Sequence, residues 1–225
     1  MIMLANGGNT LCFNFAAVET SIIVVLTALA TVPVLAALLS FVILREATTR
    51  RTWQAIVMTM AGVLIVVFNG EGAVAAPEGS VFLGGFLGVM TALCIAVVFV
   101  VTRRYPQTPV LLAVSLGTLS TGLIGFLGTD LQEMMAGSLW AVLVMCLLVM
   151  PLAWCLLSLA PRYTAPTNVS LLMLLEMVLG PFWVWLGIGE RPSPMMISGT
   201  AIALAALAFH IIRTQWFATS HTSTD

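Results

Sequence analysis

The 225-residue chain is 60% hydrophobic and only 8% charged, with a mean hydropathy of +1.11 and a net charge of −1. A soluble domain carries roughly 25% charged residues, so eight basic and nine acidic side chains cannot cover a water-soluble globule. A soluble enzyme, a nucleic-acid binder and a disordered chain are excluded together, and the composition is that of an integral membrane protein.

A bilayer core of about 30 Å needs about 20 apolar residues in a helix. The first apolar run, over residues 1–14, is short. Full-length runs follow at 20–44, 52–69, 81–102, 109–127, 137–158, 165–188 and 195–213. None alternates with a period of two, and all are too long for barrel strands. The expected fold is therefore an all-α polytopic helical bundle with seven full spans and a partial one. Glu19 is expected at the start of its helix, where a carboxylate suits the dipole.

The connections hold nearly all the charge. Arg45, Arg50 and Arg51 lie between the second and third runs, Glu71 and Glu78 in the next loop, and Arg103 and Arg104 in the one after. Asp130 with Glu133, then Arg162, then Glu190 with Arg191, and finally Arg213 complete the series. With alternate loops on opposite sides, every arginine but Arg191 falls on one side. The positive-inside rule makes that side cytoplasmic, with loop 45–51 and the C-terminus, in the plasma (inner) membrane. Cys12, Cys94, Cys146 and Cys155 sit in apolar runs without a CxxC pair, so they read as apolar fillers, and no metal or cofactor is expected. The N-terminus has neither the basic region nor the cleavage site of a signal peptide.

Two segments share one plan: a long apolar helix, a glutamate at its exit, a short turn and a small-residue helix. One ends FVILREATTRRTWQAIVMTMAG and the other VWLGIGERPSPMMISGTAIALA. Setting Glu46 on Glu190 gives an ungapped offset of 144 (190 less 46), at which Thr20 meets Thr164, Val34–Leu35 meets Val178–Leu179, and Ala61 meets Ala205. The predicted sidedness puts the two glutamates on opposite faces, which makes the copies inverted, as in many secondary transporters.

These features, with SLAPRYTAPTNVSLLMLLEMVLGPFWVWLGIGE, resemble the EamA-type permeases of the drug/metabolite transporter superfamily. The resemblance implies two inverted five-helix repeats with both termini cytoplasmic. It divides the chain into residues 1–69, the C-terminal part of a first repeat; 70–80, an extracytoplasmic linker; 81–213, a complete second repeat; and 214–225, a cytoplasmic tail. On the 144 offset the first repeat lacks two helices and part of a third. A fragment, a late start or a truncated gene are the readings of that, and a native seven- or eight-helix protein is the alternative.

Glu176 stands alone at the centre of its run. A carboxylate there costs about 2.5–3.5 kcal/mol on insertion scales, so it is expected to face the bundle interior or a wet cavity. Lining a solute pathway, with a role in proton coupling, is one reading; a neutral acid bonded to a neighbouring helix is the other. The family resemblance implies a Glu here before a Pro, but this chain has Met177. Asn168, two turns earlier, shares its face and is either pathway lining or interhelical glue. Pro33, Pro151 and Pro181 interrupt three spans, and Trp154 beside Pro151 either walls a cavity or faces lipid.

Glu46 and Glu190 oppose their own helix dipoles and read as turn architecture, accepting N–H bonds from the next helix or pairing with Arg50 and Arg191. His210 reads as interfacial. Gly84, Gly88 and Ala92 form a small-residue stripe that serves packing within the subunit or a homodimer. With these readings, the family resemblance implies a secondary transporter, an exporter of small organic metabolites or drugs. It would work by alternating access between inverted repeats, with the bilayer, a solute and protons as partners and no nucleic acid. The chain has no P-loop for direct ATP drive. A truncated, non-transporting membrane protein or assembly partner is the second class. A membrane-embedded enzyme is the third, and no HExxH motif or aspartate pair supports it.

Overall fold

A computed structural model describes residues 1–20, 22–46, 48–68, 80–128, 139–188, 194, 197–199, 201–206 and 209. The linker from residue 69 to 79, Glu190, Arg191, His210, Arg213 and the tail 214–225 lie outside the described residues. The described residues are helical or irregular, with no strand among them.

The first helix, α1, runs Ile2–Glu19. It is longer than the partial span expected over 1–14, because its polar residues are accommodated rather than helix-ending. Asn6 is only 4% exposed, and its amide donates to the Val114 carbonyl at 3.2 Å and to Thr118 Oγ1 at 3.0 Å. Glu19 is thus the last residue of α1 and not the first of the next helix. It opposes the α1 dipole instead of complementing one.

The run expected at 20–44 is not one helix. It divides into α2 (Ile22–Leu29), α3 (Val32–Leu39) and a π-helical turn, Ser40–Leu44. Next come α4 (Arg50–Phe68), α5 (Val81–Arg104) and α6 (Val110–Gly128). The following span has α7 (Leu139–Val144), a second π-helical turn at Met145–Val149, and α8 (Met150–Leu159). A 3₁₀ turn, Ala160–Arg162, leads to α9 (Pro166–Ile188), and a short helix α10 covers Ile197–Ala206. Four helical stretches among the described residues are long and apolar enough to cross a membrane: Val24–Leu44, Phe82–Arg104, Val110–Gly128 and Met145–Arg162.

Helix α5 is the centre of the packing, with 56% of its most apolar window buried against 11% for Met145–Arg162. It packs on α1, α2 and α3, and α1 in turn lies between α5 and α6. In lipid no hydrophobic force draws helices together, so small residues that let backbones approach do that work. Gly84 faces Thr20, where any Cβ would collide with the threonine side chain, and a Cβ on Gly88 would stand 2.7 Å from that of Ala28. With Ala92 fully buried, the small-residue stripe is occupied within the subunit. Gly62 and Gly199 bring α4 and α10 together in the same way, each within 2.9 Å of the other's carbonyl oxygen if given a Cβ.

Gly88→Val should therefore lower the thermal stability of the detergent-solubilised protein by about 1–3 kcal/mol, the usual cost of overpacking. Gly122→Ala, on a face with nothing within 4 Å, should leave it unchanged. Thermal unfolding followed by fluorescence-detected size exclusion checks both.

Candidate functional site in a broken helix and its neighbour

The break between α2 and α3 has a clear cause. Pro33 sits in the first turn of α3 and has no N–H to give to the carbonyl four residues earlier, which favours a break here, where the Thr31 N–H turns back to the Ala28 carbonyl. The loose ends are tied locally. Thr31 donates from both its N–H (3.0 Å) and its hydroxyl (2.6 Å) to the Ala28 carbonyl, and its own carbonyl accepts from Leu35 at 3.1 Å. Irregular backbone at membrane depth is tolerated where protein or a wet cavity surrounds it. Here protein does so: Val32 and Pro33 are buried, and Ala30 is fully buried.

Its neighbour is α9. Ala30 shares an apolar cluster with Leu174 of α9 and Ala203 of α10, and Ala37 shares another with Leu171, Ala55 and Ile56. The face of α9 toward α3 is therefore Leu171 and Leu174, both at most 1% exposed. Glu176, two residues on and about 200° around the helix, is exposed. It lies at the middle of α9 with no hydrogen bond or ion pair among the described residues, on the same stripe as Asn168 and Leu172. The Asn168 amide donates to Thr164 Oγ1 at 3.3 Å.

The other proline sites differ. Pro151 opens α8 directly after the π-helical turn. Widening the backbone there relieves the clash between the ring and the carbonyl four residues earlier. Pro181 lies inside α9, which continues to Ile188. Trp154 is half-buried on α8, a helix packed on α6 and α5. The structure thus groups Pro33 with the Asn168–Glu176 helix and leaves Pro151 and Trp154 on a helix packed elsewhere.

Glu46 follows the helix exit. Arg45 before it has a left-handed backbone with φ 58°, the single non-glycine case among the described residues, and the N–H groups of Arg45 and Glu46 both return to the Ser40 carbonyl. The Glu46 carboxylate then lies 3.8 Å from Arg103 Nε on α5, whereas the sequence offers the N–H groups of the next helix or Arg50 as its partners. Thr31, Asn6, Arg103 and Arg162 were not singled out by sequence reasoning as site residues. The available signal for Thr31 was its place two residues before Pro33, and for Asn6 its isolation as an amide in an apolar run.

The family model of the EamA-like transporter family matches residues 82–212. The chain belongs to the EamA-like transporter family. The match begins in the first turn of α5 and runs past α10. No curated protein matches the chain. Family and fold agree on a helical integral membrane protein of a transporter family, whose business is a small-molecule solute rather than catalysis.

With no protein partner among the described residues, Glu176 should be replaceable without loss of fold. Glu176→Gln is expected to stay within about 0.5 kcal/mol of the parent, while Leu174→Ala should cost about 2–5 kcal/mol. Thermal unfolding of both variants in the same detergent makes the comparison.

Proposed function

We propose that the protein is a secondary carrier of small organic solutes that works by alternating access around the α2–α3 break and α9, with export as the direction the family resemblance implies. The observation that carries this reading is a helix broken at membrane depth and packed against a helix whose mid-span carboxyl, Glu176, is exposed and has no side-chain partner among the described residues. Discontinuous helices mark the solute sites of many transporters, and an intramembrane acid is a functional residue by default.

The inverted-repeat reading has support of its own. On the 144 offset, the stretch Ile22–Leu44 maps onto the bounds of α9, Pro166–Ile188. Ala30 and Leu174 are offset partners and pack on each other, as two residues near a local two-fold axis would. In this reading Glu176 and Asn168 supply polarity to the pathway and Glu176 exchanges a proton during the cycle. Pro33 and Pro181 set bends beside the pathway, Pro151 and Trp154 belong to the wall formed by α8 with α5 and α6 rather than to the break itself, and Glu46 and Glu190 close the repeat ends. The arginine-rich end faces the cytoplasm of a cell whose plasma membrane holds the carrier.

Reconstituted into proteoliposomes and tested against a panel of amino acids, aromatic compounds, nucleosides and cationic drugs, the protein should move at least one class. Glu176→Gln should reduce that flux by roughly tenfold or more and remove its dependence on pH. Flux by the Gln variant equal to the parent, with the same pH profile, removes Glu176 from the mechanism.

A further inference from the structure

Three chain segments meet at the arginine-rich end of the bundle. The 3₁₀ turn Ala160–Arg162, which joins α8 to α9, is pinned by buried Pro161. From it the Arg162 guanidinium donates to the Thr108 carbonyl in the α5–α6 loop. Arg103, at the end of α5, donates back to the Arg162 carbonyl at 3.2 Å, and Glu46 reaches Arg103 from the end of the α3 segment. The bonds therefore run in both directions between the α8–α9 corner and the α5–α6 loop.

Two details describe how this corner is held. The Arg162 Nε is buried without a hydrogen-bond partner among the described residues, so the closed arrangement leaves one charged donor unsatisfied, which is costly. Arg45 holds a left-handed backbone that non-glycine residues avoid, and the turn it makes sets Glu46 toward Arg103. The Glu46–Arg103 pair is itself 46% and 33% exposed, in the range where ion pairs are weak. A contact of that kind orients a group without locking it.

We infer that Arg162 is the bolt of a latch that holds the α8–α9 corner down on the α5–α6 loop and closes the arginine-rich end, with Arg103 as its seat and Glu46 as the group that positions Arg103. The inference rests on the carrier reading only for the need to open and close that end. Its test uses no solute, so a failure of transport and a failure of the latch are read separately.

The reporter is Thr167→Cys, in the first turn of α9 just behind the corner, where the parent residue is 4% exposed. Cys12, Cys94, Cys146 and Cys155 are replaced by Ala in all variants. Labelling with a charged maleimide in permeabilised vesicles should be slow in the reporter alone. It should be roughly tenfold faster with Arg162→Gln, which removes a hydrogen bond from a charged donor, and faster to a lesser degree with Glu46→Gln. Arg162→Lys should return it toward the slow rate. Ala96→Cys, fully buried on α5, is the control and should stay unlabelled in the Arg162→Gln protein. Equal rates at position 167 with and without Arg162 would overturn the latch, as would a parallel rise at position 96, which means general loosening.

Discussion

Everything in this bundle depends on how closely other helices can approach α5. Apolar side chains gain little by leaving lipid for protein, so dispersion at short range and a few interhelical hydrogen bonds must hold the helices. Glycine at 84 and 88 brings α5 against the Thr20 and Ala28 side chains, and that approach carries the apolar cluster of Val25, Leu29, Val32, Ile95, Val98 and Phe99. Helix α1 can then lie between α5 and α6, where its Asn6 amide finds a carbonyl and a hydroxyl instead of hydrocarbon. The polar residues that make α1 a poor span by composition are the ones that fix its register.

The same frame explains where an irregular segment is tolerated. The α2–α3 break would be expensive in lipid, but α5 covers it on one side and α9 on another. Thr31 takes up the slack that Pro33 creates. In the proposed carrier, this well-packed support holds the one discontinuity in place while the site changes its exposure. The carboxyl of Glu176 and the Asn168 amide lie on the face of α9 away from the α3 contact, so the break and the polar stripe flank α9 on different sides.

Much of this was legible in the sequence, and the rest was not for physical reasons. Hydropathy located the helices because a span must be apolar over about 20 residues, and Pro33 flagged a bend. Hydropathy could not reveal that 20–44 splits in two, since one threonine and one alanine among so many aliphatic residues leave the run apolar enough for a single span. It also stopped α1 too early, because whether Asn6 ends a helix or docks on another depends on Val114 and Thr118, more than a hundred residues away. Gly84 and Gly88 were evident as a packing stripe, but their partner could have been a second subunit, and three-dimensional contact decides that. Glu46 was recognised as a turn residue; its pairing with Arg103 instead of Arg50 follows from how the end of the α3 segment meets α5, which local spacing does not encode.

Helix α1 runs antiparallel to α5, with Gly8 beside Cys94 and Thr20 beside Gly84, and this seating is the most extensive helix contact in the bundle. A Cβ on Gly8 would lie 3.4 Å from the Cys94 sulfur, close to the spacing of a disulfide. The most direct measurement is oxidative cross-linking of Gly8→Cys with native Cys94 in membranes, with the other three cysteines replaced by Ala. The account predicts rapid formation of an intramolecular disulfide, seen as loss of both thiols in a monomer. Two thiols that stay free under oxidation, or that link only between molecules, would contradict it.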